Sequence, residues 1–104
     1  MFYGVSLLFK SLHSVASDDD PLWEFRVLLI DAISEEEAEL KGKQIGEASE
    51  ETYEAQKGDM VTWKFIQVES VSEIDEEDLK DGAELFSRFM SDSTVKRLLI
   101  PFDD

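Results

Sequence analysis

Tyr3, Val5, Leu7 and Phe9 alternate with Gly4, Ser6, Leu8 and Lys10, and the same period returns in Trp23, Phe25, Val27 and Leu29 against Glu24, Arg26, Leu28 and Ile30. A period of two is the mark of a β-strand, because successive side chains leave opposite faces of a sheet. The two runs are separated by a polar stretch, His13 to Pro21, that contains Asp18-Asp19-Asp20-Pro21. Clustered Asp and Pro do not sit inside a strand, so this stretch reads as a loop. A hairpin centred near Ser17 places Phe9 opposite Phe25, Leu7 opposite Val27 and Val5 opposite Leu29. It also sets Lys10 against Glu24 and Leu8 against Arg26. A slip of one residue would send every side chain of the second strand to the other face.

Ser34-Glu35-Glu36-Glu37 is a capping box. Ser34 can accept from the third helical amide while Glu37 reaches back to Ser34, and the three carboxylates suit the positive end of the helix dipole. The pattern predicts a helix from Ser34 to about Glu51 with an inward stripe of Ala38, Gly42, Ile45 and Ser49. Three of these four are small, which brings the helix backbone close to the sheet. Lys57-Gly58-Asp59 reads as a turn. A third strand follows over 61–68, extending toward Ile74, then an acidic loop to Asp81 and a fourth strand over 84–90. A right-handed strand–helix–strand crossover makes strands two and three parallel, with strand one between them and antiparallel to both. The expected fold class is α+β. It is a single β-β-α-β-β domain over residues 1–91, a mostly antiparallel four-stranded sheet of order 2-1-3-4 with one long helix on one face. Residues 92–104 are a tail whose Leu98-Leu99-Ile100 can dock on the sheet.

Composition narrows the chemistry. At 104 residues the chain is long enough for one domain with one core. Twenty-five acidic residues against ten basic ones give a net charge of −15. Such a surface repels phosphates, so no nucleic acid bound through its backbone and no anionic membrane are expected as partners. There is no Cys and His13 is the single histidine, which removes thiol chemistry, disulfides and Cys-based zinc sites. The glycines form neither G-x-G-x-x-G nor a P-loop. Asp18-Asp19-Asp20 lacks the EF-hand spacing and reads as a solvated loop. Glu24 and Glu69 are the only mid-strand acids, and neither lies in an apolar run that would raise its pKa. No catalytic residue, metal or cofactor is therefore assigned. The apolar stretch from Met1 to Phe9 is too short for a membrane span and has no basic segment before it, so a cytoplasmic location is expected.

Two candidate sites remain. Lys10, Arg26 and Lys64 fall on one sheet face by period, with Arg88 near them. They could hold a carboxylate or phosphate, or could be neutralised by Glu24 and its neighbours. The other feature is apolar. With the helix assigned to the aromatic face, Leu8, Leu28, Ile30, Ile66 and Val68 crowd the opposite face, too many aliphatics for a solvated sheet. Either the tail or the same face of a second chain would cover them.

The segments Phe2-Tyr3-Gly4-Val5-Ser6-Leu7-Leu8-Phe9-Lys10-Ser11, Asp20-Pro21-Leu22-Trp23-Glu24-Phe25-Arg26-Val27-Leu28, Ser34-Glu35-Glu36-Glu37-Ala38, Val61-Thr62-Trp63-Lys64-Phe65 and Asp81-Gly82-Ala83-Glu84-Leu85-Phe86-Ser87-Arg88 occur in an order and spacing that resembles the bacterial domain of unknown function 4288 family. The resemblance covers roughly residues 1–90. It implies a bacterial, stand-alone domain and brings no catalytic residues. The charge, the aromatic content and the lack of a catalytic constellation point to a non-enzymatic protein-interaction module, either a homodimer or an inhibitor- or immunity-like partner of a basic protein. The alternative is an anionic-ligand or enzymatic site at the four cations.

Overall fold

The computed structural model describes residues 1–16, 20–75, 77 and 79–100. Its elements are β1 (Phe2–His13), β2 (Trp23–Asp31), α1 (Glu35–Ala48), β3 (Glu51–Gln56), β4 (Asp59–Ile74) and α2 (Asp92–Leu99). They form a four-stranded sheet of order β2-β1-β4-β3, antiparallel throughout. The α+β class, the central place of β1 and its antiparallel pairing on both sides agree with the sequence reading. The order 2-1-3-4 does not hold, and there are two helices rather than one long one.

The difference lies in which segment fills the second edge. Residues 84–90 form no strand; they run as an extended strap after the Gly82 turn. The edge is taken by β3, a short strand with every residue exposed. Because β3 has no apolar face, period-two hydrophobicity is silent about it. Its pairing with β4 rests on the tight turn at Gly58 (φ 84°), on a Thr52–Thr62 hydroxyl contact of 2.9 Å and on a bond from Trp63 Nε1 to Tyr53 Oη at 3.0 Å. The helix also ends earlier than predicted, at Ala48, so that Glu50 can accept from the Phe65 amide at 2.9 Å and pair with Lys64 at 3.0 Å.

The β1–β2 register is one residue away from the expected one. Leu8 faces Phe25, Leu7 faces Arg26, Val5 faces Leu28 and Tyr3 faces Ile30. The loop between the strands is too long to impose a register as a two-residue hairpin turn would. The end next to α1 imposes it instead. Leu28, Ile30 and Ala32 lead directly into the helix, and all three belong to the core or pack against it. Glu24 and Arg26 thereby also point to the helix side, where Arg26 lies 4.4 Å above the Phe9 ring and donates to Glu24 at 2.8 Å.

The core lies between the sheet and α1 and contains Tyr3, Val5, Leu7, Phe9, Ile30, Ala32, Ala38 and Phe65. The helix can approach closely because its buried positions are Ala38, Gly42 and Gly46. A Cβ at Gly42 would lie 2.7 Å from Val5 Cγ1, and one at Gly46 would overlap the Phe65 ring. The predicted stripe is thus right in character and in Ala38 and Gly42. Its lower half shifts from Ile45 and Ser49 to Gly46. Among the described residues no helix is long and apolar enough to cross a membrane.

Candidate functional site

The register moves the odd residues of β2 out of the core. Trp23, Phe25, Val27 and Leu29 line the sheet face away from α1, and each is between 41% and 60% exposed. They lie on an edge strand, opposite Lys10, Leu8, Ser6 and Gly4 of β1. The small residues in that row admit the strap of residues 83–90. A Cβ on Gly4 would meet the Leu85 carbonyl oxygen at 2.9 Å, so the strap passes directly over β1 there. Phe86 stacks at a tilt on Phe25 with centroids 5.7 Å apart, and Arg88 lies 5.4 and 5.3 Å from those two rings.

Arg88 is held by Glu69 in an ion pair. Glu69 is the unpaired residue of a bulge between Ser70 and Val68, where β4 carries one more residue than β1. A bulge re-aims a side chain, and here the carboxylate accepts from the Ser6 hydroxyl at 2.6 Å. Ser6 is fully buried and also contacts the Ser70 hydroxyl at 2.7 Å. The Ser6 donation, with Arg88 behind it, holds the Glu69 carboxyl below the usual range although burial opposes this. An ionised, fully engaged carboxylate is a fastening, not a proton donor.

The four predicted cations are not gathered. Lys10 and Lys64 are directly opposed across β1 and β4, but Arg26 projects to the helix side. Arg26, Lys64 and Arg88 pair with Glu24, Glu50 and Glu69 respectively. Lys10 lies 5.4 Å from the Trp23 ring centre and has no carboxylate partner among the described residues. The five aliphatics predicted to share the uncovered face also separate. Ile30 is in the core, Leu28 and Val68 pack against it, Leu8 is half-buried under the other face, and Ile66 is exposed at a second bulge of β4. The slipped register explains Leu28 and Ile30, and the two bulges explain Val68 and Ile66.

At the far end of the sheet an open cleft of about 690 Å³ is lined by Lys10, His13, Ala16, Pro21, Lys57 and Asp59 among others. His13 Nδ1 is 2.9 Å from an Asp59 oxygen, and this contact, with the Val15 amide, keeps the Asp59 carboxyl below its ordinary value. The neighbouring hydroxyl of Ser14 accepts from the Met60 amide at 2.8 Å and donates to the Gly58 carbonyl at 3.5 Å. Asp18 and Asp19 of the acidic loop lie outside the described residues. No group of three His, Cys, Asp or Glu able to hold a metal ion occurs among the described ones.

Period two alone sets Trp23 and Phe25 on the face of Phe9 and residues 84–90 in a strand, so it predicts neither the strap nor the outward aromatics. Their signal was present in Gly4 and Ser6, two small residues inside the most apolar strand, which mark where another segment crosses closely. Neither the curated proteins nor the solved structures contain a match to the chain. The family described as a domain of unknown function (DUF4288) matches residues 2–87. That span takes in the whole sheet, α1 and all but the last residues of the strap, and the chain belongs to this family.

Proposed function

We propose that the chain is a non-enzymatic protein-interaction module whose contact surface is the outward face of β2. The observation that supports this is the row Trp23, Phe25, Val27 and Leu29, four large apolar side chains left open to solvent on an edge strand. Exposed apolar patches of this kind mark interfaces, and an edge strand with no charge on that row lacks the usual protection against pairing. The net charge of −15 favours a partner surface that is apolar at its centre and not acidic at its rim. The anionic-ligand alternative has less support, since three of its four cations already have carboxylate partners.

A photo-crosslinking residue placed at Val27 in the full chain, expressed in bacterial cells, tests the reading. Adducts are expected from position 27 and not from the exposed, polar Glu39 of α1. Equal yields at the two positions would overturn it. The adduct mass tells a second 11.9 kDa chain from another protein.

A further inference from the structure

Helix α2 is amphipathic, and among the described residues no element packs extensively against it. Val95, Leu98 and Leu99 share one side at helical spacing, no residue of the helix is buried, and Leu99 is 75% exposed. Phe89 before it is fully exposed, as is most of Ile100 after it. The radius of gyration is 16.6 Å, against about 13 Å for a compact chain of this length. The same polypeptide thus carries a sheet face that the strap covers only in part and a helix with no buried residue, and the helix is not seated on that face.

Resting on the reading of β2 as a contact surface, we propose that its occupant is α2 of a second copy of this chain, each protomer lending its helix to the other. Area favours this occupant. The four strand residues, together with Phe89, Leu98, Leu99 and Ile100, at roughly 100 Å² each (about half of what a large aromatic buries in full), give about 800 Å² per protomer. Two protomers reach about 1,600 Å², the size of a standard specific interface. Charge favours it as well. Helix α2 has Lys96 and Arg97 against Asp92, whereas residues 1–91 contain 22 acidic and 8 basic residues. With Lys96 paired to Asp92 at 3.0 Å, the helix is left with the single positive charge of Arg97 to meet an acidic body. Reciprocal exchange also closes with two-fold symmetry, so no helix and no sheet face remains to propagate the contact.

The chain lacks Cys, which makes disulfide trapping clean. One copy carrying Val27→Cys and a differently tagged copy carrying Leu98→Cys are mixed and oxidised, while the unmodified chain is sedimented at about 150 mM salt. The expected results are a mixed-copy 27–98 disulfide, a mass twice 11.9 kDa for the unmodified chain, and a monomer of unchanged circular dichroism for Leu98→Glu/Leu99→Glu. A dimer without the 27–98 disulfide overturns helix exchange. So does a monomer in which a chain carrying both Val27→Cys and Leu98→Cys closes its own 27–98 bond. A monomer that still gives position-27 adducts with a different protein in cells overturns exchange and leaves the interaction module standing. A monomer with no such adducts overturns both.

Discussion

Gly46 is the position where one added methyl would be felt most. Alanine ordinarily stabilises a helix interior by about 1 kcal/mol relative to glycine, but here the methyl enters the face of Phe65, which is itself packed edge-on against Phe9 at 5.7 Å. Overpacking of a core costs about 1–3 kcal/mol, so Gly46→Ala is expected to lower stability by about 1 kcal/mol or more, read as a lower urea midpoint at constant slope. A gain would mean that the helix can lift from the sheet. Ser34 accepts from the Glu37 amide at 3.1 Å, and Ser34→Ala is expected to cost about 1 kcal/mol in the same measurement. An unchanged midpoint would show that the cap is solvated at no loss. The Ser34 half of the capping box is written locally and was legible, whereas the Glu37 carboxylate, expected to reach back to Ser34, pairs with Lys41 at 3.1 Å instead. The burial of Gly46 in place of Ile45 was not legible, because a helix's rotation about its axis is set by the sheet beneath it.

At the scale of elements, the strap is held by one carboxylate and one aromatic pair, and the carboxylate makes its hold sensitive to acid. Glu69 has a folded-state pKa below its unfolded value. Its contribution is therefore complete above the unfolded value and is lost as pH falls through the folded one. The stability difference between the wild type and Glu69→Gln is expected to be constant above about pH 5 and to shrink steadily below it, as followed by urea titration at a series of pH values. A difference that grows in acid would contradict the fastening role. The strap itself was read as a fourth strand because Leu85 and Phe86 with Phe89 and Met90 look like strand residues. What decides is the availability of an edge. Glu50 and the turn at Gly58 hold β3 on the edge of β4, so the later segment does not pair there and crosses the face over β1 instead. The cations were misplaced for a related reason, since a single register step carried Arg26 to the opposite face from Lys10.

For the whole molecule, the class, the central β1 and its antiparallel pairing on both sides were legible from the alternation, whereas the strand that follows α1 is β3, antiparallel to β4, and not the parallel partner a simple crossover predicts. The register and the second edge were not legible, since they depend on segments far apart in sequence. Like charge also acts at this scale. Two bodies of net charge −15 repel, and the repulsion is screened over about 8 Å at physiological salt. This repulsion outweighs the pull of one basic helix, so the helix-exchanged dimer is expected to tighten between roughly 20 and 500 mM salt, and loosening in sedimentation would show the attraction of α2 for the acidic body to be the larger charge effect. The central position of β1 has a further consequence, for the time of synthesis. β1 pairs on one side with β2, made soon after it, but its other side waits for β4, completed only at Ile74. At about 5–20 residues per second, the chain between Asp31 and Ile74 takes about 2–9 s to make. Throughout that interval of synthesis the most apolar strand of the protein has one edge whose partner does not yet exist.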